Sequence, residues 1–218
     1  MLNFRTDYHS HILPKMDDGA ASSAEALKML LESAKQGITR IYATPHFYPD
    51  RDNPDSFFSR RKSCFDRLME VSQGYEVPEV KLGAELGYFF GIGHFDDIKN
   101  FCYEDSIAVL VEMPFGPWSE RMIDDIRSIT ASGIFPILAH IERYLDWVDI
   151  ETLSSLKEDG IRLQCNASFF IDRKTRAFAK RFAEDGFVDY LGSDMHNTGL
   201  RSQNIAKAYV ILNEQTGN

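Results

Sequence analysis

The chain has 218 residues, of which 44% are hydrophobic, and its formal net charge is −9. This length can bury a full hydrophobic core, and we expect residues 1–218 to form a single domain. The acidic balance argues against nucleic acid or an anionic membrane as the main partner, because both require a basic face. No apolar run approaches the roughly 20 residues of a membrane span, and no signal peptide is evident, so we expect a cytoplasmic protein without membrane insertion.

The three cysteines, Cys64, Cys102 and Cys165, are odd in number and scattered along the chain. This arrangement is typical of reduced thiols rather than of a disulfide framework. None of them begins a Cys-x5-Arg sequence. This absence weighs against the phosphatases that use a cysteine nucleophile.

Hydrophobic periodicity predicts that strands and helices alternate along the chain. Apolar, β-compatible runs predict seven strands at about 3–9, 38–44, 80–84, 107–112, 134–139, 161–165 and 187–191. Apolar residues at helical spacing predict helices at about 25–36, 56–72, 119–132, 149–159, 173–184 and 201–214. The segment 86–105 is irregular and aromatic, and we expect a loop there with a short helical turn.

Alternating strands and helices indicate parallel strands that are joined by right-handed crossovers. Seven such units predict an α/β fold, a distorted TIM-like (β/α)7 barrel. A doubly wound open sheet is the alternative. It would leave several strand ends far apart.

The segment that follows the first strand carries two imidazoles and a pair of adjacent carboxylates. His9 and His11 are two residues apart on the predicted strand, so their side chains point the same way. A loop with Asp17 and Asp18 comes next. Two imidazoles at a strand end, with carboxylates nearby, favour a metal ion. The alternative is a surface loop that happens to contain two histidines.

Other predicted strands also end at residues that can bind metal. The complete set of candidate ligands is His9, His11, Asp18, His46, Glu85, His140, Asp194 and His196. The carboxyl-terminal ends of the strands meet on one rim of a parallel barrel, where active sites are assembled. Each residue alone has an ordinary structural explanation, but five of the six histidines lie at strand ends. We expect His94, in the irregular segment, to lie outside the ligand set.

The candidate ligands are imidazoles and carboxylates without a thiolate, which suits manganese, iron or zinc. Eight ligands are too many for one ion, so we expect two or three divalent ions, with Glu85 or Asp194 as a bridge. Such a site would be positive and would suit an anionic substrate, phosphate first of all.

Arg143 and Arg201 follow two of these histidines closely in the sequence. A guanidinium can hold two phosphate oxygens, so both arginines are candidates for phosphate binding and catalysis. The alternatives are that Arg143 pairs with Glu142 or Asp146 and that Arg201 merely begins the last helix.

Six short blocks resemble, in the same order, the PHP (polymerase and histidinol phosphatase) superfamily. They are HSHILP at 9–14, DDG at 17–19, TPH at 44–46, GAE at 83–85, AHIERY at 139–144 and LGSDMHN at 191–197. The blocks look most like its bacterial manganese-dependent protein tyrosine phosphatases from capsule and exopolysaccharide loci, the CpsB/CapC type. The resemblance runs from about residue 5 to residue 208. It implies the PHP fold, a distorted seven-stranded barrel, with a trinuclear metal centre.

Carried over by position, the resemblance distributes the candidate ligands over three ions. His9, His11, Glu85 and Asp194 would surround one ion, His46, Glu85 and His140 a second, and Asp18 and His196 would help to hold a third. Arg143 and Arg201 match the phosphate-binding arginines of the family. Ile141 stands where the family usually has proline, which should alter loop rigidity rather than a ligand. The chain is also short around the second and third strands, which leaves the choice of substrate open.

The leading prediction is a metal-dependent phosphatase that acts on phosphotyrosine in the tail of a bacterial tyrosine kinase that controls polysaccharide synthesis. The alternative is a small-molecule phosphomonoesterase such as histidinol-phosphate phosphatase. An amidohydrolase with two metals commonly needs a carboxylated lysine at the end of the fourth strand, and the segment 111–113 has none. A binding module without catalysis is disfavoured, because every expected ligand is present. The general acid and any role of Asp17 in metal binding stay open.

Overall fold

The computed structural model describes residues 2–213, which contain nine β-strands and seven α-helices. The strands are β1 (Thr6–Ser10), β2 (Arg40–Ala43), β3 (His46–Phe47), β4 (Glu79–Leu82), β5 (Glu85–Gly87), β6 (Ala108–Glu112), β7 (Phe135–Leu138), β8 (Arg162–Asn166) and β9 (Tyr190–Gly192). The helices are α1 (Ser23–Lys35), α2 (Pro54–Ser72), α3 (Glu120–Ala131), α4 (Ile150–Glu158), α5 (Ala167–Ile171), α6 (Arg176–Glu184) and α7 (Ile205–Asn213). Short 3-10 helices span Ile92–His94, Asp96–Phe101 and Ile141–Tyr144.

All the paired strands are parallel, in the orders β1-β2-β4 and β3-β5-β6-β7-β8-β9. β3 follows β2 after only two residues, and β5 follows β4 in the same way, so the nine strands occupy seven positions. The ring closes after β9, where the His11 amide donates to the Met195 carbonyl at 2.9 Å and the Asp194 amide donates to the His9 carbonyl at 2.8 Å. The predicted distorted seven-stranded barrel is confirmed.

The closure between β9 and β1 depends on a small residue and a buried carboxylate. A Cβ atom added to Gly192 would lie 2.4 Å from the Cβ of His9, so only glycine permits this approach. Asp7 is fully buried and accepts hydrogen bonds from the Ser193 amide (2.9 Å), the Ser193 hydroxyl (2.6 Å) and the Gln203 amide side chain (2.8 Å). These contacts fix the segment after β9, which carries two candidate ligands.

The helices begin where polar side chains cap their first amide groups. Ser22, Asn53, Ser119 and Asp149 each accept a hydrogen bond from the first turn of α1, α2, α3 and α4. The main hydrophobic core contains residues from these helices and from the strands. A smaller cluster contains Tyr42, Tyr103, Leu110 and Ile137, with Tyr8 and Tyr190 packed against it. No helix among residues 2–213 is both long and apolar enough to span a membrane.

Short elements account for most differences from the predicted secondary structure. β3, β5 and α5 have two to five residues each and were not predicted, because so short a segment shows no periodicity. The prediction that His46 and Glu85 only follow their strands was therefore wrong, since each begins a short strand. The last helix begins at Ile205 rather than near residue 201. Its predicted end, residue 214, lies outside the described residues.

Candidate metal centre

The structure brings all eight predicted ligands to the carboxyl-terminal rim of the barrel. Seven of them lie within four residues of the end of β1, β2, β4, β7 or β9, and Asp18 lies eight residues after the end of β1. Six of them come within 4 Å of Glu85 or of a histidine that contacts Glu85. Three groups of side chains with mutually facing ligand atoms are formed, and they share members.

The inner group is built on His9, His11 and Glu85. The Nε2 atoms of the two histidines lie 3.1 Å apart and lie 3.1 and 3.3 Å from Glu85 Oε2. Their Nδ1 atoms face oxygens that can only accept, Gln164 Oε1 at 3.1 Å and Asp17 Oδ2 at 2.7 Å. Both Nδ1 atoms therefore carry the proton in the neutral rings, and both Nε2 lone pairs point at the same place. Such an arrangement can bind a cation between the lone pairs.

The ionisation of the inner group supports the same conclusion. Burial alone would raise the pKa of Glu85, but the charge of His9 and hydrogen bonds from His11 and His140 hold that pKa well below its ordinary value. Burial would lower the pKa of His11, but Asp17 and Glu85 raise it to about 10. The rim without ions therefore takes up protons to balance its carboxylates. Divalent cations are the natural replacement for those protons.

Asp194 completes the inner group. Its Oδ1 lies 3.8 Å from His9 Nε2 and 3.6 Å from His11 Nε2, and Asn166 Nδ2 donates to its Oδ2 at 3.0 Å. Asp194 and His140 both have positive φ angles, 52° and 33°. Residues other than glycine rarely adopt this backbone conformation, which is concentrated at functional sites.

The second group shares Glu85 with the inner group. Glu85 Oε2 lies 2.9 Å from His46 Nδ1, and Glu85 Oε1 lies 3.0 Å from His140 Nε2. Glu112, the last residue of β6, also belongs here, because its Oε1 lies 3.4 Å from His140 Nε2. The two oxygens of Glu85 thus face different histidines, as a bridging carboxylate requires.

The outer group contains Asp18, His46 and His196 beside His11. Asp18 Oδ1 lies 3.3 Å from His196 Nε2 and 3.6 Å from His46 Nε2, and the Asp18 side chain is 62% exposed. His196 Nδ1 donates to the Asp194 carbonyl at 3.0 Å, and His196 Nε2 is buried without a hydrogen-bond partner. Burial and the nearby charge of His11 lower the pKa of His196 to about 4. The ring is therefore neutral and its Nε2 lone pair is free to bind a metal.

Asp17 orients the imidazole of His11 and holds the backbone of His46, and it belongs to none of the ligand groups found among residues 2–213. Its Oδ2 accepts from His11 Nδ1 at 2.7 Å and from the His46 amide at 3.0 Å, and its Oδ1 accepts from the Gly19 amide at 3.0 Å. Burial would raise the pKa of Asp17, but the hydrogen bond and the charge of His11 lower it to about 2.

Both predicted phosphate-binding arginines lie at the mouth of the rim and converge on Asp194. Arg143 Nη2 donates to Asp194 Oδ2, and Arg201 Nη2 donates to Asp194 Oδ1 at 2.8 Å. Their side chains are 32% and 42% exposed, so some of their N–H groups can still reach a ligand. Glu142, an alternative partner for Arg143, instead accepts a hydrogen bond from the Asn166 amide at 3.2 Å.

Sequence reasoning missed Glu112, Gln164 and Asn166. Glu112 ends the most apolar strand of the chain, and a carboxylate in that place has the same signal as the ligands that were found. Gln164 accepts from both His9 Nδ1 and the His140 amide, but an amide within a buried strand gives no comparable signal. His94 is exposed in a 3-10 helix and belongs to none of the ligand groups found among residues 2–213.

Comparisons with known proteins extend these observations. Residues 5–218 match the family described as "Capsular polysaccharide synthesis, CpsB/CapC". The tyrosine-protein phosphatase YwqE of Bacillus subtilis is 27% identical over 222 residues, which cover 97% of this chain and 85% of that protein. CpsB of Streptococcus pneumoniae is 28% identical over 225 residues, which cover 97% of this chain and 90% of that protein.

A solved structure gives the same result. A crystal structure from work on YwqE and CpsB, described as unique metal-dependent tyrosine phosphatases, superposes with a TM-score of 0.83 at 26% identity, covering 98% of this chain and 88% of that one. Histidinol phosphate phosphatase from Lactococcus lactis shares the fold, with a TM-score of 0.59 at 14% identity, covering 97% and 93% of the two chains. The family match spans nearly the whole sequence, and this chain belongs to the CpsB/CapC family of capsular polysaccharide synthesis proteins.

Proposed function

We propose that this chain is a metal-dependent protein tyrosine phosphatase that hydrolyses phosphotyrosine. Its curated relatives are named tyrosine-protein phosphatases and match over nearly the whole chain. One observation carries the proposal. Five imidazoles and four carboxylates meet at one rim of the barrel, and two arginines converge on that rim from its mouth.

Three divalent ions fit the three groups of ligands. The inner group with Asp194 would hold one ion, the second group with Glu112 another, and the outer group a third, with Glu85 shared between the first two. Imidazole and carboxylate ligands suit manganese, which is our first choice, and also iron or zinc. When bound, such ions lower the pKa of a coordinated water and neutralise charge on a phosphate group.

The protein supplies rigid positions for these ligands. Gln164 and Asp17 fix the rings of His9 and His11 through Nδ1, which keeps the Nε2 lone pairs directed into the site. Asn166 holds one oxygen of Asp194. Because these supporting residues are themselves buried or nearly buried, the ligand atoms are positioned before any ion binds.

Arg143 and Arg201 bind the phosphate group of the substrate in this proposal. Each already donates one hydrogen bond to Asp194 and retains further N–H donors toward the mouth of the rim. A guanidinium that faces a phosphate can stabilise the charge that develops on its oxygens during transfer. The two arginines thus act on the substrate, whereas the histidines and carboxylates hold the ions.

The proposed substrate is a phosphotyrosine-containing protein, the tail of a bacterial tyrosine kinase that regulates capsule or exopolysaccharide synthesis. Membership of the CpsB/CapC family supports the link to polysaccharide synthesis. Because the phosphatase must act where this kinase tail lies, we propose that it works in the cytoplasm. The alternative substrate is a small phosphomonoester such as histidinol phosphate.

The test combines metal analysis with kinetics on the purified protein loaded with manganese. His140→Ala and Asp194→Ala should lose bound metal and at least about 10²-fold in kcat/KM on a phosphotyrosine peptide, because the remaining ligands leave an open, mispositioned ion. His94→Ala is the matched control, an exposed histidine outside the ligand groups, and should keep both metal content and rate.

Two results would overturn the proposal. Full metal content and full activity in both His140→Ala and Asp194→Ala would show that the proposed metal centre is wrong. A wild-type kcat/KM that is higher on histidinol phosphate than on the phosphotyrosine peptide would keep the metal centre but assign it to the small-molecule substrate.

A further inference from the structure

A cleft of about 330 Å³ opens beside the candidate metal centre. Its lining includes Tyr48, Tyr88, Glu112, Pro114 and Phe115. This volume lies within the range of small-molecule sites, which are typically about 300–1,000 Å³. Three of its eight lining residues are aromatic, and Arg51 also lines it.

The cleft and the metal centre share a wall. Glu112 lines the cleft and also faces His140 in the second ligand group, with Oε1 3.4 Å from His140 Nε2. The Tyr48 hydroxyl donates to Glu112 Oε2 at 2.7 Å and lies 3.1 Å from His46 Nδ1. A phosphate group at the rim would therefore lie next to this cleft.

The aromatic walls are held in place before any ligand binds. A Cβ atom added to Gly87 would lie 2.4 Å from Tyr48 Cδ1, so the Tyr48 ring rests directly on the backbone of Gly87. The Tyr48 ring also stacks on His46, with ring centres 5.3 Å apart, and the Arg51 guanidinium lies 5.1 Å from the centre of the Tyr48 ring. The Tyr88 hydroxyl donates to Asp125 Oδ2 at 2.7 Å. A preformed aromatic cleft loses little entropy when it binds a flat ring.

Phe115 is the unusual member of this lining. It lies in the segment that follows β6, three residues after Glu112, and its side chain is 63% exposed. Its ring contacts Tyr144 at a centre-to-centre distance of 5.7 Å, and it lines the cleft while most of its surface stays exposed. A ring bound beside it would bury part of that surface and gain aromatic contacts.

We propose that this cleft binds the phenyl ring of the phosphotyrosine substrate, and that Phe115 is the residue that favours aryl over alkyl phosphate groups. The inference rests on the proposed function, since it places the leaving group of that reaction. Phe115 binds the substrate ring and takes no part in holding ions or phosphate. Its contribution should therefore be visible for ligands that carry a ring and absent for ligands that lack one.

The experiment measures inhibition constants of two phosphonates that the enzyme does not hydrolyse, benzylphosphonate and methylphosphonate, against turnover of a phosphotyrosine peptide. Phe115→Ala should raise the inhibition constant of benzylphosphonate by about 10-fold, because one aromatic contact and its buried area are lost. The inhibition constant of methylphosphonate should not change. Phe115→Leu keeps apolar bulk without a flat ring and should give an intermediate value. Phe178→Ala, an exposed phenylalanine on α6 that does not line the cleft, is the control and should change neither constant.

The result that overturns the inference is an equal change of both inhibition constants, or no change of either, in a Phe115→Ala protein with full metal content. The proposed function fails separately if the protein hydrolyses another phosphate ester but not the phosphotyrosine peptide. In that case inhibition of the other reaction by the two phosphonates still tests the role of Phe115. If no ester is turned over, calorimetric binding of the two phosphonates to the manganese-loaded protein replaces the inhibition constants, and the same comparison decides.

Discussion

The two ends of the barrel interior are filled by opposite chemistry. At the carboxyl-terminal rim, imidazoles and carboxylates face one another at 2.9–3.8 Å. The smaller hydrophobic cluster lies N-terminal to these residues on the same strands, since Tyr8 precedes His9 and Tyr190 precedes Asp194. In this tyrosine cluster the ring centres of Tyr8, Tyr42, Tyr103 and Tyr190 lie 4.5–5.6 Å from their neighbours.

This difference separates function from stability along the same strands. The rim gathers charges that are satisfied only by protons or cations, so it depends on what is bound there. The tyrosine cluster and the main core are apolar and are packed without any ion. We therefore expect that changes at the rim alter activity most, and that changes in the tyrosine cluster alter stability without altering activity.

Removal of metal should have the largest effect on activity. Chelation should reduce turnover of a phosphotyrosine peptide at least about 10³-fold, because the proposed reaction depends on the activated water and the charge neutralisation that bound ions would supply. The far-UV circular dichroism of the chelated protein should be retained, since the cores contain no ligands. Added manganese should restore turnover. Full activity after exhaustive chelation would contradict the separation between the two ends.

Loss of one arginine should have the next largest effect. Arg143→Ala and Arg201→Ala should each lose about 10²–10³-fold in kcat/KM, by analogy with the loss of one preorganised donor to developing charge, while metal content is kept. Arg143→Lys should recover only part of the rate, because an ammonium lacks the two-pronged contact. Arg127→Ala removes a guanidinium that pairs with Asp159 and serves as the control. Arginine variants as active as the parent would exclude the phosphate contact.

Sequence alone was sufficient for the barrel and for the ligand rim because both depend on repeated local signals. Each strand is a short apolar run, and most predicted ligands follow such a run, so His46 and Glu85 were predicted to lie at the rim although the strands they begin were missed. Parallel topology then brings the strand ends together without further information.

The contacts that support the ligands could not be predicted, because they join residues far apart in sequence. Gln164 reaches His9 across 155 positions, and Asp7 reaches Gln203 across 196. The positive φ angles of His140 and Asp194 could not be predicted either, because aspartate and histidine adopt such angles more often than most residues but still only rarely. The aromatic cleft beside Glu112 was also missed, because its walls come from three separate segments.

A smaller effect, dependent on pH, should appear when the orienting carboxylate is neutralised. In the metal-free protein Asp17 and Glu85 raise the pKa of His11 from 6.5 to about 10, so this contribution to stability is complete below about pH 6.5 and is lost as pH rises through 10. Asp17→Asn should therefore lower the free energy of unfolding by about 1–3 kcal/mol at pH 6, and by much less at pH 10.5.

Urea unfolding in the presence of a chelator, at pH 6, 8 and 10.5, measures this difference. The pKa of Asp17 falls from 3.8 to about 2, so its own contribution is complete above about pH 4 and adds no slope across this range. Asp124→Asn, on the exposed face of α3, is the control and should show no pH-dependent difference. A gap between parent and Asp17→Asn that stays constant up to pH 10.5 would show that the His11 contact does not stabilise the fold.

The smallest effect is expected in the tyrosine cluster. The Tyr103 hydroxyl donates to the Tyr8 carbonyl at 2.7 Å, and Tyr103 is buried, so Tyr103→Phe should lower the free energy of unfolding by about 1 kcal/mol. Metal content and kcat/KM should not change, because Tyr8 contributes only its backbone carbonyl to this contact and His9 is fixed separately by Gln164. Tyr75→Phe, at an exposed tyrosine, should change neither quantity. A fall in kcat/KM for Tyr103→Phe comparable to that of Arg143→Ala would mean that the position of the ligands depends on the tyrosine cluster, and that the two ends of the barrel are one cooperative unit.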